Sequence, residues 1–177
     1  MDNQVAYPVH VREIAPEEFE ALGKLLVDVY AGLEGFPSPE EQPGYYTMLA
    51  NIGSFTEKKD TRVLVALNEA GAVIGGVVYF GDMAQYGSGG TATAEKNASG
   101  IRLLGVSREY RGIGAGKALA CACIQLARQA GNTQVILHTT DAMQAAWKMY
   151  EQLGFQRSHD LDFMQVTLPV FGFRLPL

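Results

Sequence analysis

The chain has 177 residues, of which 47% are hydrophobic and 19% charged, and its formal net charge is −5 at pH 7. These values are typical of one globular domain, so we expect a single domain over residues 1–177. The acidic balance argues against nucleic acid as an obligatory partner, and no apolar run approaches the roughly 20 residues of a membrane-spanning helix. We therefore expect neither nucleic acid nor membrane among its partners.

The first part of the chain predicts two helices between strands. Residues 7–14 alternate in a way that predicts a first strand, and apolar residues recur at three- and four-residue spacing over residues 19–29, which predicts an amphipathic helix. Residues 45–52 predict a second, short helix. Two β-type runs, residues 62–67 and 73–80, are joined by Asn-Glu-Ala-Gly, which predicts a hairpin.

Residues 81–99 differ in composition and are rich in Gly, Ser, Thr and Ala. Residues 87–94 within it carry little that they could bury, and loops of this length are usually functional or disordered. The sequence predicts a long connection here, either a plain mobile link or a lid over a site.

A glycine-rich turn follows the apolar strand predicted at residues 101–106. The turn reads Arg-Gly-Ile-Gly-Ala-Gly-Lys over residues 111–117, and an Ala- and Leu-rich helix is predicted over residues 118–130. Glycines let the backbone approach a ligand, and the first N–H groups of a helix have no internal partner. The turn therefore predicts a phosphate-binding helix start. Its spacing fits neither a nucleotide P-loop nor a dinucleotide fingerprint.

A second motif lies further along the chain, on the predicted helix over residues 142–153 and its exit. Its members are Ala146, Tyr150, Gly154 and Phe155. The first two are four residues apart and share a helix face, and the glycine suits a helix end. Together with the Arg/Gln-x-x-Gly-x-Gly/Ala pattern of the glycine turn, this motif resembles the GNAT superfamily of acyl-CoA-dependent N-acyltransferases. The close resemblance covers residues 99–155.

The order of predicted elements is β, α, α, β, β, β, α, β, α, β, β, with strands at residues 134–139 and 155–158 and β-like runs to the C-terminus. This order favours an α/β (α+β) fold with one mixed sheet. The resemblance implies a GNAT-like, mostly antiparallel central sheet flanked by helices, in which the strand before the glycine turn and strand 134–139 splay apart at a cofactor notch. The apolar segment 166–177 either pairs with another subunit, giving a homodimer, or completes its own sheet at an edge because of its prolines.

The resemblance also implies acetyl-CoA as cosubstrate, an amine acceptor and no metal. The amides of residues 112–117 would bind the pyrophosphate, and the backbone of residues 104–106 would pair with the pantetheine arm as an added strand. The expected cofactor-binding residues are Leu104, Gly105, Val106, Arg111, Gly112, Ile113, Gly114, Ala115, Gly116, Lys117, Met143 and Tyr150.

Tyr150 is the expected catalytic residue, assisting the leaving thiolate after direct attack by the amine. A phenol with a pKa of about 10 is a weaker acid than a thiol with a pKa of about 8.5, so full proton transfer is uphill by roughly 2 kcal/mol. Tyr150 is thus expected to act mainly as a hydrogen-bond donor to the sulfur. The alternative is a tyrosine that only packs beside the cofactor or in the core.

Two departures from the family pattern bear on the mechanism. Residues 98–101 supply no carboxylate where many relatives carry one, and Met143 stands where many carry an asparagine that binds pantetheine. The general base is therefore open: His138 could act through water or be a sheet histidine satisfied by its neighbours, and Glu34 and Asp82 are weaker candidates.

The acceptor is also open on the sequence alone. Five aromatic residues could line an acceptor pocket or cap the core: Tyr30, Phe36, Tyr45, Tyr46 and Tyr86. An acyl-CoA-binding sensor without turnover is the alternative function, and a metal hydrolase is disfavoured because the histidines lack a His-Glu-x-x-His spacing. The absence of a signal-like N-terminus and two cysteines on different helix faces, Cys121 and Cys123, favour a reducing, cytoplasmic location.

Overall fold

The computed structural model describes residues 9–177. The helices are α1 (Phe19–Ala31), α2 (Pro43–Ala50), α3 (Ala115–Gln129) and α4 (Gln144–Gln152). The strands are β1 (His10–Glu13), β2 (Thr61–Leu67), β3 (Val73–Phe80), β4 (Ala98–Val106), β5 (Gln134–Thr139), β6 (Gln156–Arg157), β7 (Phe163–Gln165) and β8 (Leu168–Pro176). None of the helices in residues 9–177 is long and apolar enough to cross a membrane.

One sheet organises this part of the chain. Its strand order is β1-β2-β3-β4-β5-β8-β6, and β7 pairs with β8. The β4–β5 pair is parallel, whereas the other strand pairs are antiparallel. The predicted mixed and mostly antiparallel sheet is confirmed.

Helices cover both faces of the sheet because its central strands are apolar on both sides. In β2, Val63 and Val65 join the cluster under α1 and α2, whereas Leu64 and Ala66 join the cluster under α3 and α4. Strands buried on two faces read as continuous apolar runs rather than as alternating ones. We call these the α1 face and the α3 face of the sheet.

Helix α3 buries a narrow stripe of small side chains on the α3 face. Its buried residues recur at three- and four-residue spacing and are Ala115, Leu119, Ala120, Cys123 and Ala127. Cys121 is exposed while Cys123 is buried, so the two thiols point to different faces as the sequence predicts.

Several boundaries differ from the predicted ones. Strand β1 begins at His10, and residues 7 and 8 of the predicted strand lie outside the described residues. Helix α3 begins at Ala115, three residues before the predicted start at 118, because Gly114 adopts a left-handed conformation (φ 87°) and serves as its N-cap. The glycine turn and the helix are thus one continuous unit.

The segment 81–99 packs more firmly than its composition suggests. Two short 3₁₀ turns, Met83–Gln85 and Ala92–Ala94, interrupt it, and β4 already begins at Ala98. Met83, Tyr86 and Ala92 are buried in the cluster on the α1 face. Of residues 87–94, which were expected to bury little, only Ala92 is buried, whereas Met83 and Tyr86 fix the first part of the segment to the core.

The C-terminal segment lies inside the sheet rather than at its edge. Strand β8 pairs with β5 on one side and with β6 and β7 on the other. Pro169 and Pro176 stand near its two ends, where the missing N–H groups do least harm. The edge position expected from the prolines was wrong, and intramolecular pairing replaces the intersubunit pairing considered for this segment.

The parallel strands separate partway along their length. Pairing between β4 and β5 ends at Ile101 and Leu137, although β4 continues to Val106 and β5 to Thr139. Register with β3 also shifts in this stretch, and Leu103 has a positive φ of 61°, the signature of a β-bulge. The splay implied by the resemblance is therefore present, and a bulge accompanies it.

Candidate functional site

A cleft of about 620 Å³ opens where β4 and β5 separate. Its lining comes from α1, the outer half of β4, the glycine turn with the start of α3, the end of β5, and α4. All of the predicted cofactor-binding residues line it except Ile113, whose side chain packs against the core of the α3 face. One concave site thus gathers residues from two motifs about 30 positions apart in the chain.

Free backbone donors point from the first turn of α3. The Ala118 N–H donates to Gly114 O at 2.9 Å, whereas the N–H groups of Ala115, Gly116 and Lys117 have no acceptor among the described residues. The N-cap is Gly114, so no side chain caps these donors. Three free amides and the positive end of the helix dipole favour an anion at this position.

Gly116 is the position at which a ligand-binding role for glycine can be distinguished from a purely structural one. Gly112 and Gly114 have φ values of 82° and 87°, which already require glycine for the turn itself. Gly116 has ordinary helical backbone, and a Cβ there would meet only Met149 Sδ and Val106 Cγ2, both at 3.8 Å. The fold does not need glycine at 116, so a backbone kept bare for a ligand is the better explanation.

Every formal charge on the cleft wall is positive. Arg102, Arg111 and Lys117 line the cleft, and within residues 9–177 no aspartate or glutamate does. In a chain of net charge −5 this concentration of cations favours anionic ligands.

The bulged stretch of β4 is held from the α1 face. Tyr30, in α1, is buried and donates its hydroxyl to Leu104 O at 2.9 Å. A Cβ on Gly105 would lie 2.6 Å from Leu26 Cδ2, so glycine is required there for close packing of α1. Only the backbone of residue 105 is therefore available to a ligand. Sequence reasoning missed Tyr30 as a support for β4.

Tyr150 lies on the α3 face of the sheet, in α4, and lines the cleft. Its ring packs edge-on against Phe155, with 5.7 Å between ring centroids. Its hydroxyl has no hydrogen-bond partner in residues 9–177, and burial raises the pKa of Tyr150 well above its usual value near 10. The hydroxyl is thus a neutral donor at any physiological pH.

Thr139 is a cleft residue that the sequence analysis did not single out. It ends β5, lines the cleft and is 2% exposed, yet its hydroxyl lacks a hydrogen-bond partner. Alternation along β5 puts it on the same face as Leu137 and Tyr150. A buried hydroxyl without a partner costs free energy unless a ligand satisfies it. The polar Thr139-Thr140 pair closing an apolar strand was the available signal.

His138 is satisfied within the protein rather than free for base catalysis. Its Nδ1 accepts from the Tyr86 hydroxyl at 2.8 Å, and its Nε2–H donates to Leu161 O at 2.8 Å. Burial lowers the pKa of His138, which agrees with this neutral arrangement. Asp82 accepts from the Ala84 N–H at 3.0 Å, and neither it nor Glu34 lines the cleft.

The aromatic residues separate into two groups. Tyr30, Phe36 and Tyr45 pack with ring centroids 5.5 to 6.0 Å apart, and of these Tyr30 reaches the cleft. Tyr86 is fully buried beneath the cleft. Met143 lines the cleft and packs against the cluster on the α1 face. Most of the aromatic set therefore supports the wall instead of forming it.

The chain belongs to the acetyltransferase (GNAT) family, whose model matches residues 23–155. The Probable N-acetyltransferase family 8 member 5 of Mus musculus is 44% identical over 55 residues, which are 31% of this chain and 24% of that protein. The chain thus spans about a quarter of the length of that curated relative.

Solved structures agree on the fold. An acetyltransferase of the GNAT family from Staphylococcus aureus Mu50 is similar with a TM-score of 0.73 and 18% identity, over 96% of this chain and 99% of that one. The yncA protein from Salmonella typhimurium, solved with its cofactor acetyl-CoA, gives a TM-score of 0.67 and 16% identity, over 96% and 94% of the two chains. At these identities the likeness concerns the fold alone.

Proposed function

We propose that this chain is an N-acetyltransferase in which a primary amine attacks the thioester of acetyl-CoA directly. The amine nitrogen forms a bond to the acyl carbon, the carbon–sulfur bond breaks, and the products are an acetamide and free CoA. One observation supports this above the others: a single cleft joins three free helix amides, an unpaired strand edge and a buried tyrosine hydroxyl.

The phosphate groups would lie at the start of α3. The amides of Ala115, Gly116 and Lys117 are free to donate, and Arg111 and Lys117 supply positive charge beside them. A hydrogen bond from such a donor to a charged acceptor contributes about 1.5–3 kcal/mol, and the helix dipole adds about 0.3–1 kcal/mol. Several such contacts together would hold the cosubstrate.

The extended arm of the cosubstrate would lie along β4. Beyond Ile101 this strand lacks a β5 partner, and an extended ligand with amide groups can add to such an edge as a strand does. Thr139, whose hydroxyl is unpartnered, lines the same cleft and would take the polar contact that Met143 cannot make. Acetyl-CoA supplies the electrophilic acyl carbon.

Tyr150 would stabilise the departing sulfur. Its hydroxyl is unpartnered, lines the cleft and stays protonated because burial raises its pKa. A raised pKa makes full proton transfer to a thiolate still less favourable, so the hydroxyl acts by donating a hydrogen bond to the developing negative charge.

The amine would have to arrive neutral, because the cleft offers no carboxylate within the described chain and His138 is already engaged on both nitrogens. For an amine with a pKa near 10.4, only about one molecule in 2,500 is neutral at pH 7. The rate of transfer is therefore expected to rise with pH as the acceptor itself loses its proton.

We further propose that residues 1–177 act as one catalytic domain in a reducing, cytoplasmic setting and without a metal. The free cysteines on different faces of α3 support the compartment, and the two-sided pairing of β8 supports a self-contained sheet. These assignments rest on the sequence and the packing together.

Calorimetry with acetyl-CoA and a thiol-release assay across a panel of amines test the function. The expected result is acetyl-CoA binding together with amine-dependent thiol release that Tyr150→Phe diminishes. Binding without release by any amine would point to the alternative, an acyl-CoA sensor, which the missing carboxylate favours. No binding of acetyl-CoA by folded protein would contradict both.

A further inference from the structure

The inner end of the cleft carries a guanidinium group without a carboxylate partner. Arg102 follows Ile101, the last β4 residue paired with β5, and lines the cleft. Its Nη1 donates to Tyr86 O at 2.9 Å, and no acidic side chain of the described chain forms an ion pair with it. The remaining donors of this half-buried group lack a partner within residues 9–177.

Arg102 lies away from the phosphate-binding end of the site. Four residues separate it from Val106, at the other end of this stretch of β4, which corresponds to about 13 Å of strand. Its guanidinium carbon lies 5.8 Å from the centroid of the Tyr86 ring, on the α1 face, whereas Tyr150 belongs to the α3 face. The group is therefore placed for the acceptor rather than for the phosphates.

The surroundings of Arg102 carry no acidic group within the described chain and include apolar side chains. On the α1 face the cleft is lined by Val29, Leu33, Leu103 and Met143. An acceptor here meets one positive charge, an apolar wall and no negative charge within the described chain. A cationic acceptor such as a polyamine or a lysine side chain would meet only repulsion from Arg102, because nothing on the wall neutralises its charge.

We propose that the acceptor is a small amine bearing a carboxylate and an apolar body, such as an uncharged α-amino acid, and that Arg102 binds the carboxylate. This inference rests on the proposed function, since it names the substrate class of the same site. A guanidinium presents paired donors that match the two oxygens of a carboxylate, which a lysine cannot reproduce. Holding the carboxylate would fix where the neighbouring amine lies.

The test compares each of three amino acids, leucine, methionine and phenylalanine, with its amide and its decarboxylated amine. Thiol release gives kcat/KM, corrected for the neutral fraction of each amine. At least one amino acid is expected to exceed both of its partners by about tenfold to a hundredfold, the range of a charge-assisted hydrogen bond. Arg102→Gln should abolish that preference, and Arg102→Lys should retain part of it.

The exposed Arg62, in β2, provides the matched control, and Arg62→Gln should leave the preference unchanged. Calorimetry with the N-acetyl amino acids gives a second measurement that needs no turnover, and binding should require Arg102. The proposed substrate class is wrong if the wild-type protein prefers none of the three amino acids, or if its kcat/KM for spermidine is higher than for all three. This result needs only the wild-type protein, so it holds even when the Arg102 variants fail to fold. If the folded wild-type protein neither binds acetyl-CoA nor turns it over, the proposed function is refuted instead. Binding of the N-acetyl amino acids would then still decide whether Arg102 binds a carboxylate.

Discussion

Replacing Gly116 by alanine should make the protein more stable and weaken its binding of CoA. The new Cβ would meet Met149 Sδ and Val106 Cγ2 at 3.8 Å, which is ordinary van der Waals contact, and the backbone there is helical. Exchanging glycine for alanine in a helix stabilises by about 0.5–1 kcal/mol. For a chain of this size that raises Tm by roughly 1–4 °C.

The same methyl group occupies space that the proposed phosphate site needs. Both of its neighbours line the cleft, so the methyl would hold a phosphate away from the amides of residues 115–117. Loss of one charge-assisted hydrogen bond costs about 1.5–3 kcal/mol, which weakens Kd about tenfold to 150-fold. Thermal unfolding and calorimetry with CoA measure the two effects on one sample.

Gly44 supplies the matched control, because it also lies in the first turn of a helix and a Cβ on it would meet nothing within 4 Å. Gly44→Ala should raise Tm without changing CoA affinity. Gly112→Ala and Gly114→Ala cannot separate the effects, since their positive φ values add backbone strain of about 1–2 kcal/mol. A stabilised Gly116→Ala protein that binds CoA as tightly as the wild type would refute the backbone-approach argument.

Three further predictions concern the cleft. Tyr150→Phe should lower kcat/KM about a hundredfold with CoA affinity retained. Since burial raises the pKa of Tyr150, the wild-type rate should keep rising as the pH approaches 10. A decline in rate caused by tyrosine ionisation at pH 8–9 would contradict this expectation. Thr139→Val should stabilise the fold by about 1 kcal/mol and weaken acetyl-CoA binding. Thr140→Val also removes an unpartnered hydroxyl, but from a residue that does not line the cleft, so it should stabilise the fold without changing acetyl-CoA affinity. Equal affinities of the two variants would exclude a contact between Thr139 and acetyl-CoA. Because burial lowers the pKa of His138, its neutral form stabilises the fold fully above pH 6.5, and the free energy of unfolding falls as the pH drops below that value. Urea unfolding should show a weaker dependence of this free energy on pH in His138→Gln and an unchanged dependence in His10→Gln. An unaltered pH dependence in both variants would refute the role of His138.

The sequence predicted the fold well because its periodic signals agree with its tertiary packing. The apolar runs of β2 and β3 and the helical spacing of α1 and α3 all lie in the two clusters that flank the sheet. It failed where the outcome depends on long-range pairing. No local sequence pattern in residues 166–177 indicates that β8 lies between β5 and β6 in the sheet.

The glycine turn was visible from its spacing, but the acceptor end of the cleft was not. Arg102 is a charged residue within an apolar strand and Thr139 ends another, and the role of each depends on which partners it lacks. A missing partner is a property of the folded environment, so the sequence could mark Thr139 as a polar residue at a strand end but could not show that either residue lacks a partner. Both became apparent only once the end of β4–β5 pairing was located.

The bulge in β4 lies between the acceptor end and the phosphate end of the site. In a regular strand neighbouring side chains alternate between faces, yet Arg102 and Leu103 both lie on the α1 face, while Leu104 packs on the α3 face. Leu103 adopts its strained positive φ at this point, and Tyr30 holds the next carbonyl. The extra residue thus adds Leu103 to the apolar wall beside Arg102, while Leu104 keeps its place on the α3 face. Deleting Leu103 would restore alternation and leave Arg102 and the later side chains of β4 on their present faces, so what depends on this single irregularity is the local shift in register with β3 and not the direction of Arg102.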